Sequence, residues 1–439
     1  MSFVVIHTIC KRFAPVIAPS TSRGVHCQAT GSTENSVCKT AQERLMAETA
    51  TLYVHWPYCE KRCTYCNFNK YISNSVDEGR MERCLKKEAE TLITMSGVKR
   101  IGSVFFGGGT PSLAPASTLN SVLETISKHA YLPKDAEVTI EVNPTRAASP
   151  KLRDFRHAGV NRISIGVQTA LCGLVFCNSR CIELGKQLFP GRLSVDMIFG
   201  RPSQTVQQWM DELHQILPLL GGHISLYQLT LERGTKLFKQ VGRGKYSLPD
   251  EDTLLEMYTS AVQILQNHGL FRYEVSNFAS HGCESLHNKN YWEGGQYIGV
   301  GPGAHGRFMP QGETIRQARI QTLEPDSWMY EVEHKGHATR KAVPLNRLNI
   351  LEELLMTGLR TTEGIPHQHW TSVSQGSSNL WDLCQVCTGV QDLLTAELLM
   401  LDSLGLRATS QGLLILDSLL PLLVSCLQDY YSGHKREKE

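Results

Sequence analysis

No run of eighteen apolar residues occurs in this 439-residue chain, so the sequence offers no membrane-spanning helix. An apolar stretch at 413–427 is broken by Asp417 and Pro421. Charge of one sign is equally lacking. The formal net charge is +2, which removes the electrostatic case for a nucleic-acid partner. Acidic residues are missing from the first 33 positions, which hold Lys11, Arg12 and Arg23 among several Ser and Thr. Such a composition reads as a mitochondrial transit peptide with its linker, over residues 1–45, or as a tail whose bias is accidental. Cysteine is not scarce, but its fourteen copies are scattered through a long chain. That pattern excludes a small disulfide scaffold and predicts reduced thiols in an intracellular compartment. A hydrophobic content of 41% and this length allow two globular domains.

What is present begins with residues 53–69, YVHWPYCEKRCTYCNFN. Cys59, Cys63 and Cys66 stand in a C-x3-C-x2-C spacing behind a strand-like segment. Three thiolates this close suit an iron–sulfur cluster whose fourth iron has no protein ligand. The alternative, a structural zinc site, wants four closed ligands, and no fourth is at hand: position 68 is Phe, and His55 lies in the preceding strand.

Downstream, short apolar segments alternate with helical patterns. Strand-like residues 52–55, 104–106, 138–142, 163–167, 193–198 and 224–229 are separated by amphipathic stretches, among them 76–95 and one capped by Thr205. Ser149-Pro150 and Gly159 give start and stop signals for another. The alternation predicts parallel βαβ units, with chemistry gathered at the carboxyl ends of the strands. The unusual residues fall there: the cysteine loop, GGGTPS at 107–112, Glu141, Gln168 and Asp196. Glu141 is a ligand for cofactor hydroxyls or ammonium, or a solvated strand-end carboxylate. Gln168 and Asp196 need polar partners on their apolar strands, which a ligand or each other would supply. Between Gln168 and Leu193 a helix with its loops barely fits. Residues 250–268 read as an amphipathic helix. Residues 345–439 suggest a small helical, winged-helix-like domain, with helices at 350–359 and 393–401.

An open iron can chelate a molecule through an amine and a carboxylate, and S-adenosylmethionine offers both. Glycines at a strand end let backbone approach such a cofactor. Together YVHWPYC–RCTYCNF, FFGGGTPS, EVNP, RISIGVQ, SVDMIFG, LYQLTLERGT, YEVSNFA, HNKNYW, GVGPGAH and GLRTTEGI resemble the radical S-adenosylmethionine superfamily. Within it they resemble the oxygen-independent coproporphyrinogen oxidase-like branch, and most of all its HemW-like haem chaperone group. The resemblance covers about residues 50 to 430. It implies an α/β fold, a partial (β/α)6 barrel over 46–285, and a C-terminal domain over 286–439 carrying a haem-binding motif. It implies a [4Fe–4S] cluster on Cys59, Cys63 and Cys66. It implies S-adenosylmethionine contacts from Tyr53, Tyr65, Gly108, Gly109, Thr110, Glu141, Gln168, Arg180 and Asp196. In HNKNYW it makes His287 a haem ligand, with Tyr291 and Trp292 packing on the porphyrin, and His305 a second candidate. On residues alone, His287 reads equally as a structural histidine closing a loop. The implied partners are haem, an acceptor protein, and an electron donor of ferredoxin or flavodoxin type. The chain departs from the branch in three places. The decarboxylating oxidases have a fourth cysteine in C-x2-C-x-C, where this chain has Phe68. About ten residues are missing between Gln168 and Phe189. Arg201 stands where an apolar residue is usual. The first departure argues against porphyrinogen decarboxylation.

Overall fold

The structure is a computed structural model that describes residues 48–436 apart from 74, 146–147 and 170–173. The expected transit peptide lies outside the described residues. Six parallel strands alternate with helices: β1 (Thr49–Trp56), α1 (Glu78–Ser96), β2 (Arg100–Gly108), α2 (Ala116–His129), β3 (Glu137–Val142), α3 (Ala148–His157), β4 (Arg162–Gln168), α4 (Leu174–Leu188), β5 (Leu193–Phe199), α5 (Val206–Ile216) and β6 (Gly222–Gln228). They pair in sequence order, each joined to the next by a helical crossover. Their apolar side chains are buried on both faces, β5 along its whole length, which explains the near-continuous apolar runs in the sequence. Thr205 caps α5 in a reciprocal capping box with Gln208.

The sheet then grows at both edges. After α6 (Lys236–Gly242) and α7 (Glu251–Asn267), β7 (Phe271–Glu274) and β8 (Asn277–Ala279) add antiparallel strands beyond β6. The chain crosses through α8 (Leu286–Trp292) to β9 (Tyr297–Val300), which pairs parallel with β1. β10 (His305–Phe308), β11 (Gln317–Gln321) and β12 (Thr339–Pro344) extend that edge as an antiparallel wing, with α9 (Pro325–Lys335) inserted between the last two. Twelve strands thus form one sheet. The division expected at residue 286 does not break this sheet, which continues to Pro344.

A separate core begins beyond Pro344. α10 (Arg347–Gly358), β13 (Ile365–Pro366), α11 (His367–Ser374), α12 (Leu380–Val386), α13 (Thr388–Thr395), β14 (Leu399–Leu401), β15 (Gly405–Ala408), α14 (Ser410–Leu414) and α15 (Leu416–Arg436) enclose Leu351, Leu355, Trp370, Leu380 and Leu427. A three-stranded antiparallel sheet joins β13, β15 and β14, giving the helical domain with a small wing that the sequence suggested. The helix expected over 393–401 is instead the end of α13 followed by β14, because Leu399 and Leu401 pair with β15. Cys387 and Cys426 form a disulfide within this domain, a correction to the expectation of reduced thiols throughout. The compressed segment after Gln168 still makes a helix, α4, with Cys181 and Ile182 in the core.

Candidate functional site

The carboxyl ends of β1 to β5 open into a cavity of about 1540 Å³, larger than the roughly 300–1,000 Å³ of an ordinary small-molecule site. Cys59, Cys63 and Cys66 line it, with Tyr53, Tyr65, Gly108, Gly109, Thr110, Glu141, Gln168 and Asp196. These residues come from separate elements, so the convergence is tertiary.

The cysteine loop is held at both flanks. The Cys59 amide donates to the Tyr71 carbonyl at 2.9 Å and the Tyr71 amide to Pro57 at 2.8 Å. The Leu237 amide at the start of α6 donates to the Thr64 carbonyl at 2.8 Å. Asn69 donates through Nδ2 to the carbonyls of Pro302 and Leu323, at 2.8 and 2.9 Å, which fastens the loop to the GVGPGAH turn. Lys70, almost wholly buried, donates to the Cys66 carbonyl at 2.7 Å. Tyr65 packs its ring among Ile198, Tyr227, Leu229 and Leu237, and burial raises its phenol well above the usual range.

The glycines at the end of β2 answer to the protein as well as to a ligand. A Cβ on Gly109 would meet the carbonyls of Pro57 and Tyr58 at 2.8 Å. One on Gly108, whose φ is +118°, would meet His55 and the Trp56 carbonyl at 2.7 and 2.8 Å. They let the strand end lie directly under the cysteine loop, and the Gly109 amide donates to the Trp56 carbonyl at 2.7 Å. Thr110 then donates to Cys59 Sγ at 3.3 Å while accepting from Asn143 Nδ2 at 3.2 Å.

The floor of the cavity is polar. Glu141 accepts from the Gly108 amide at 3.1 Å. Asp196 accepts from Ser164 Oγ at 2.8 Å and Ser194 Oγ at 3.4 Å, and burial raises its carboxyl above the ordinary value. Gln168 sits at a β-bulge with φ at +66°, and its buried Oε1 has no hydrogen-bond partner among the described residues. His55 must donate from Nε2 to the Asn69 carbonyl at 2.8 Å, leaving Nδ1 to accept from the Tyr53 hydroxyl at 3.0 Å. Burial lowers the pKa of His55, against the raising effects of its bond to Asn69 and of Glu141.

This set suits the expected groups. Among the described residues no three His, Cys, Asp or Glu side chains are placed to hold one metal ion. Three thiols from one short loop line the cavity and suit a cluster held through three of its irons. The carboxylates of Glu141 and Asp196 suit a cationic ligand, and the orphan oxygen of Gln168 lacks a donor that such a ligand can supply.

Three expected contacts are placed elsewhere. His287 is 2% exposed, with Nδ1 2.8 Å from Ser103 Oγ and Nε2 3.0 Å from Tyr291 Oη, stacked on Phe105. Burial lowers its pKa to about 3. Both nitrogens are engaged inside the protein, so the ring is not presented to the large cavity. Trp292 is 1% exposed, with its indole in the interior; of the three HNKNYW candidates only Tyr291 reaches the cavity wall. Arg180 is exposed on α4 and is not among the cavity-lining residues, because the adjacent Cys181 and Ile182 turn that helix's other face to the core. Conversely, Asn69, Lys70 and Asn143 were not singled out from the sequence. The only signal was their position, directly after the third cysteine and within EVNP.

Residues 53–171 match the radical SAM superfamily, and residues 345–415 match the HemN C-terminal domain. The chain is 52% identical over 391 residues to the radical S-adenosyl methionine domain-containing protein 1, mitochondrial, of Mus musculus, covering 87% of this chain and 88% of the relative. It is 31% identical over 323 residues to the heme chaperone HemW of Bacillus subtilis (strain 168), covering 71% and 84%. The structure is similar to coproporphyrinogen III oxidase (HemN) from Escherichia coli, with a TM-score of 0.71 at 19% identity, over 89% of this chain and 93% of that one. The chain therefore belongs to the radical S-adenosyl methionine superfamily, as a mitochondrial member of the family that joins radical S-adenosyl methionine domain-containing protein 1 to the HemW proteins.

Proposed function

We propose that this protein binds haem and transfers it to an acceptor protein, while carrying a [4Fe–4S] cluster and S-adenosylmethionine. Cys59, Cys63 and Cys66 would hold the cluster. Glu141, Gln168, Asp196 and the β2 glycines would hold the cofactor, and a ferredoxin- or flavodoxin-type protein would supply electrons. When bound, the pair supplies reductive cleavage of a carbon–sulfur bond. The protein's own part is to fix the thiols and to hold His55 between Tyr53 and Asn69 beneath the cluster loop. The observation that carries the reading is Phe68, which stands where the decarboxylating oxidases have a fourth cysteine. Kinship with a protein named a heme chaperone supports it, as does a cavity with room for a second ligand beside the cofactor. The N-terminal stretch is proposed as the mitochondrial transit peptide. The rival reading is a radical enzyme oxidising coproporphyrinogen III or another substrate. Anaerobic reconstitution followed by haemin titration, with assays of coproporphyrinogen consumption and 5′-deoxyadenosine release, separates the two. Stoichiometric haemin binding without porphyrinogen turnover is expected; turnover of the porphyrinogen would overturn the chaperone reading.

A further inference from the structure

The cavity has two chemically different halves. The barrel half offers thiols, carboxylates and Gln168. The other half is walled by the β10–β12 wing on one side and α10 on the other, and its character follows from strand register. His305 pairs with Ile320, and Ile320 with Lys341; Arg307 pairs with Ala318, and Ala318 with Val343. All six line the cavity, so they form one continuous inner face, as residues in register on neighbouring strands must. Facing them, α10 contributes Leu348 and Met356.

β12 is irregular at one point. Gln321 pairs with Thr339 and Ile320 with Lys341, so Arg340 is an extra residue in a β-bulge. In a regular strand Arg340 and Lys341 would point to opposite faces; a bulge re-aims a side chain, and here both line the cavity. Among the described residues neither makes a hydrogen bond or ion pair with a side chain. The other charged groups in this half are engaged. Arg316 donates to the carbonyls of Gly294 and Gly295, both at 2.7 Å. Arg307 pairs with Glu353 at 3.1 Å, and Glu352 accepts from Gln428 at 2.6 Å. Four cations thus face two carboxylates, an excess of two positive charges in this half.

Resting on the haem-binding reading above, we infer that haem lies on the inner face of the β10–β12 wing, with its two propionates paired to Arg340 and Lys341. Apolar side chains of Ala318, Ile320, Val343, Leu348 and Met356, with two unpaired cations at one edge, fit a flat dianion with an apolar ring. His305 is the cavity-lining histidine nearest to those cations in register, two strand spacings from Lys341, or about 10 Å. It is therefore the side chain that would face the iron.

The test uses the full chain and two probes: haemin, and haemin dimethyl ester, which keeps the iron and ring but lacks the carboxylates. Arg340 and Lys341 are exposed on an edge strand, so R340A/K341A should keep the fold, as circular dichroism would verify. The double variant is expected to bind haemin at least tenfold more weakly and the ester as wild type does, while H305A shifts the Soret band of bound haemin. Wild-type binding of haemin with an unchanged affinity in R340A/K341A would overturn the placement and leave the function standing. Failure of the wild type to bind either probe would overturn the haem-binding reading itself.

Discussion

At the scale of single residues, the glycine run illustrates how one side chain's absence serves two ends. Gly109 is excluded from carrying a Cβ by backbone carbonyls 2.8 Å away, and carbonyls cannot swing aside as a side-chain tip can. G109A is expected to cost about 1–3 kcal/mol by overpacking and to push the Pro57–Cys59 backbone off β2. Chemical denaturation would measure the first effect. Iron and sulfide analysis after anaerobic reconstitution would measure the second, as a reduced iron content per chain. Full iron loading in a folded G109A protein would show that the loop's position does not depend on that contact. The sequence displayed this feature as three glycines beside a cysteine loop, and it showed the three thiols directly, because covalent spacing alone brings them together. It could not display what His287 faces. A histidine in HNKNYW reads as a ligand or as a core residue, and its contacts with Phe105 and Ser103 come only from the packing of α8 on β2.

At the scale of elements, the departure at Arg201 finds its explanation in α5. The guanidinium follows β5 and forms an ion pair with Glu212, a buried carboxylate that also accepts from Thr169 Oγ1 at 2.9 Å and Gln204 Nε2 at 3.3 Å. Removing one partner of a buried pair strands the other charge, whereas replacing both with apolar groups is nearly neutral. R201L is therefore expected to destabilise the protein by about 3 kcal/mol, and R201L/E212L to regain most of it, read from urea unfolding midpoints. A single variant as stable as wild type would show that Thr169 and Gln204 suffice for Glu212. The helices themselves were legible, since apolar periodicity and caps such as Thr205 are local. The helix expected at 393–401 was not, because Leu399 and Leu401 belong to a strand that exists only through its pairing with β15. The bulge at Arg340 was equally invisible: register is a relation between strands and leaves no mark within one.

At the scale of the whole molecule, the barrel and the C-terminal domain meet at a buried carboxylate. Glu274 at the end of β7 is fully buried, bridges to Thr361, and accepts from the Ser276 amide at 3.1 Å and from Asn277 Nδ2. Burial raises its pKa from 4.5 to about 7. The folded chain then keeps a proton that the unfolded chain releases, so this group's contribution to stability falls as pH rises from about 4.5 to about 7 and is level above that. Relative to E274Q, wild type should lose about 1.4 kcal/mol per pH unit across that window. Denaturation curves from pH 5 to 8 would check this; parallel pH profiles for the two proteins would show that Glu274 ionises normally in the fold. The same scale separates what each level of description decided. The sequence by itself determined the superfamily, the parallel βα alternation, the three thiols and the missing fourth cysteine, because these rest on local spacing and periodicity. Only the tertiary structure decided that the sheet runs on to Pro344, that His287 faces inward and Arg180 outward, and that two cations from a bulged edge strand share a cavity with the cysteines. Those outcomes depend on strand pairing and burial between segments up to hundreds of residues apart, and the free energy of such contacts is a property of the packed whole rather than of any stretch of chain.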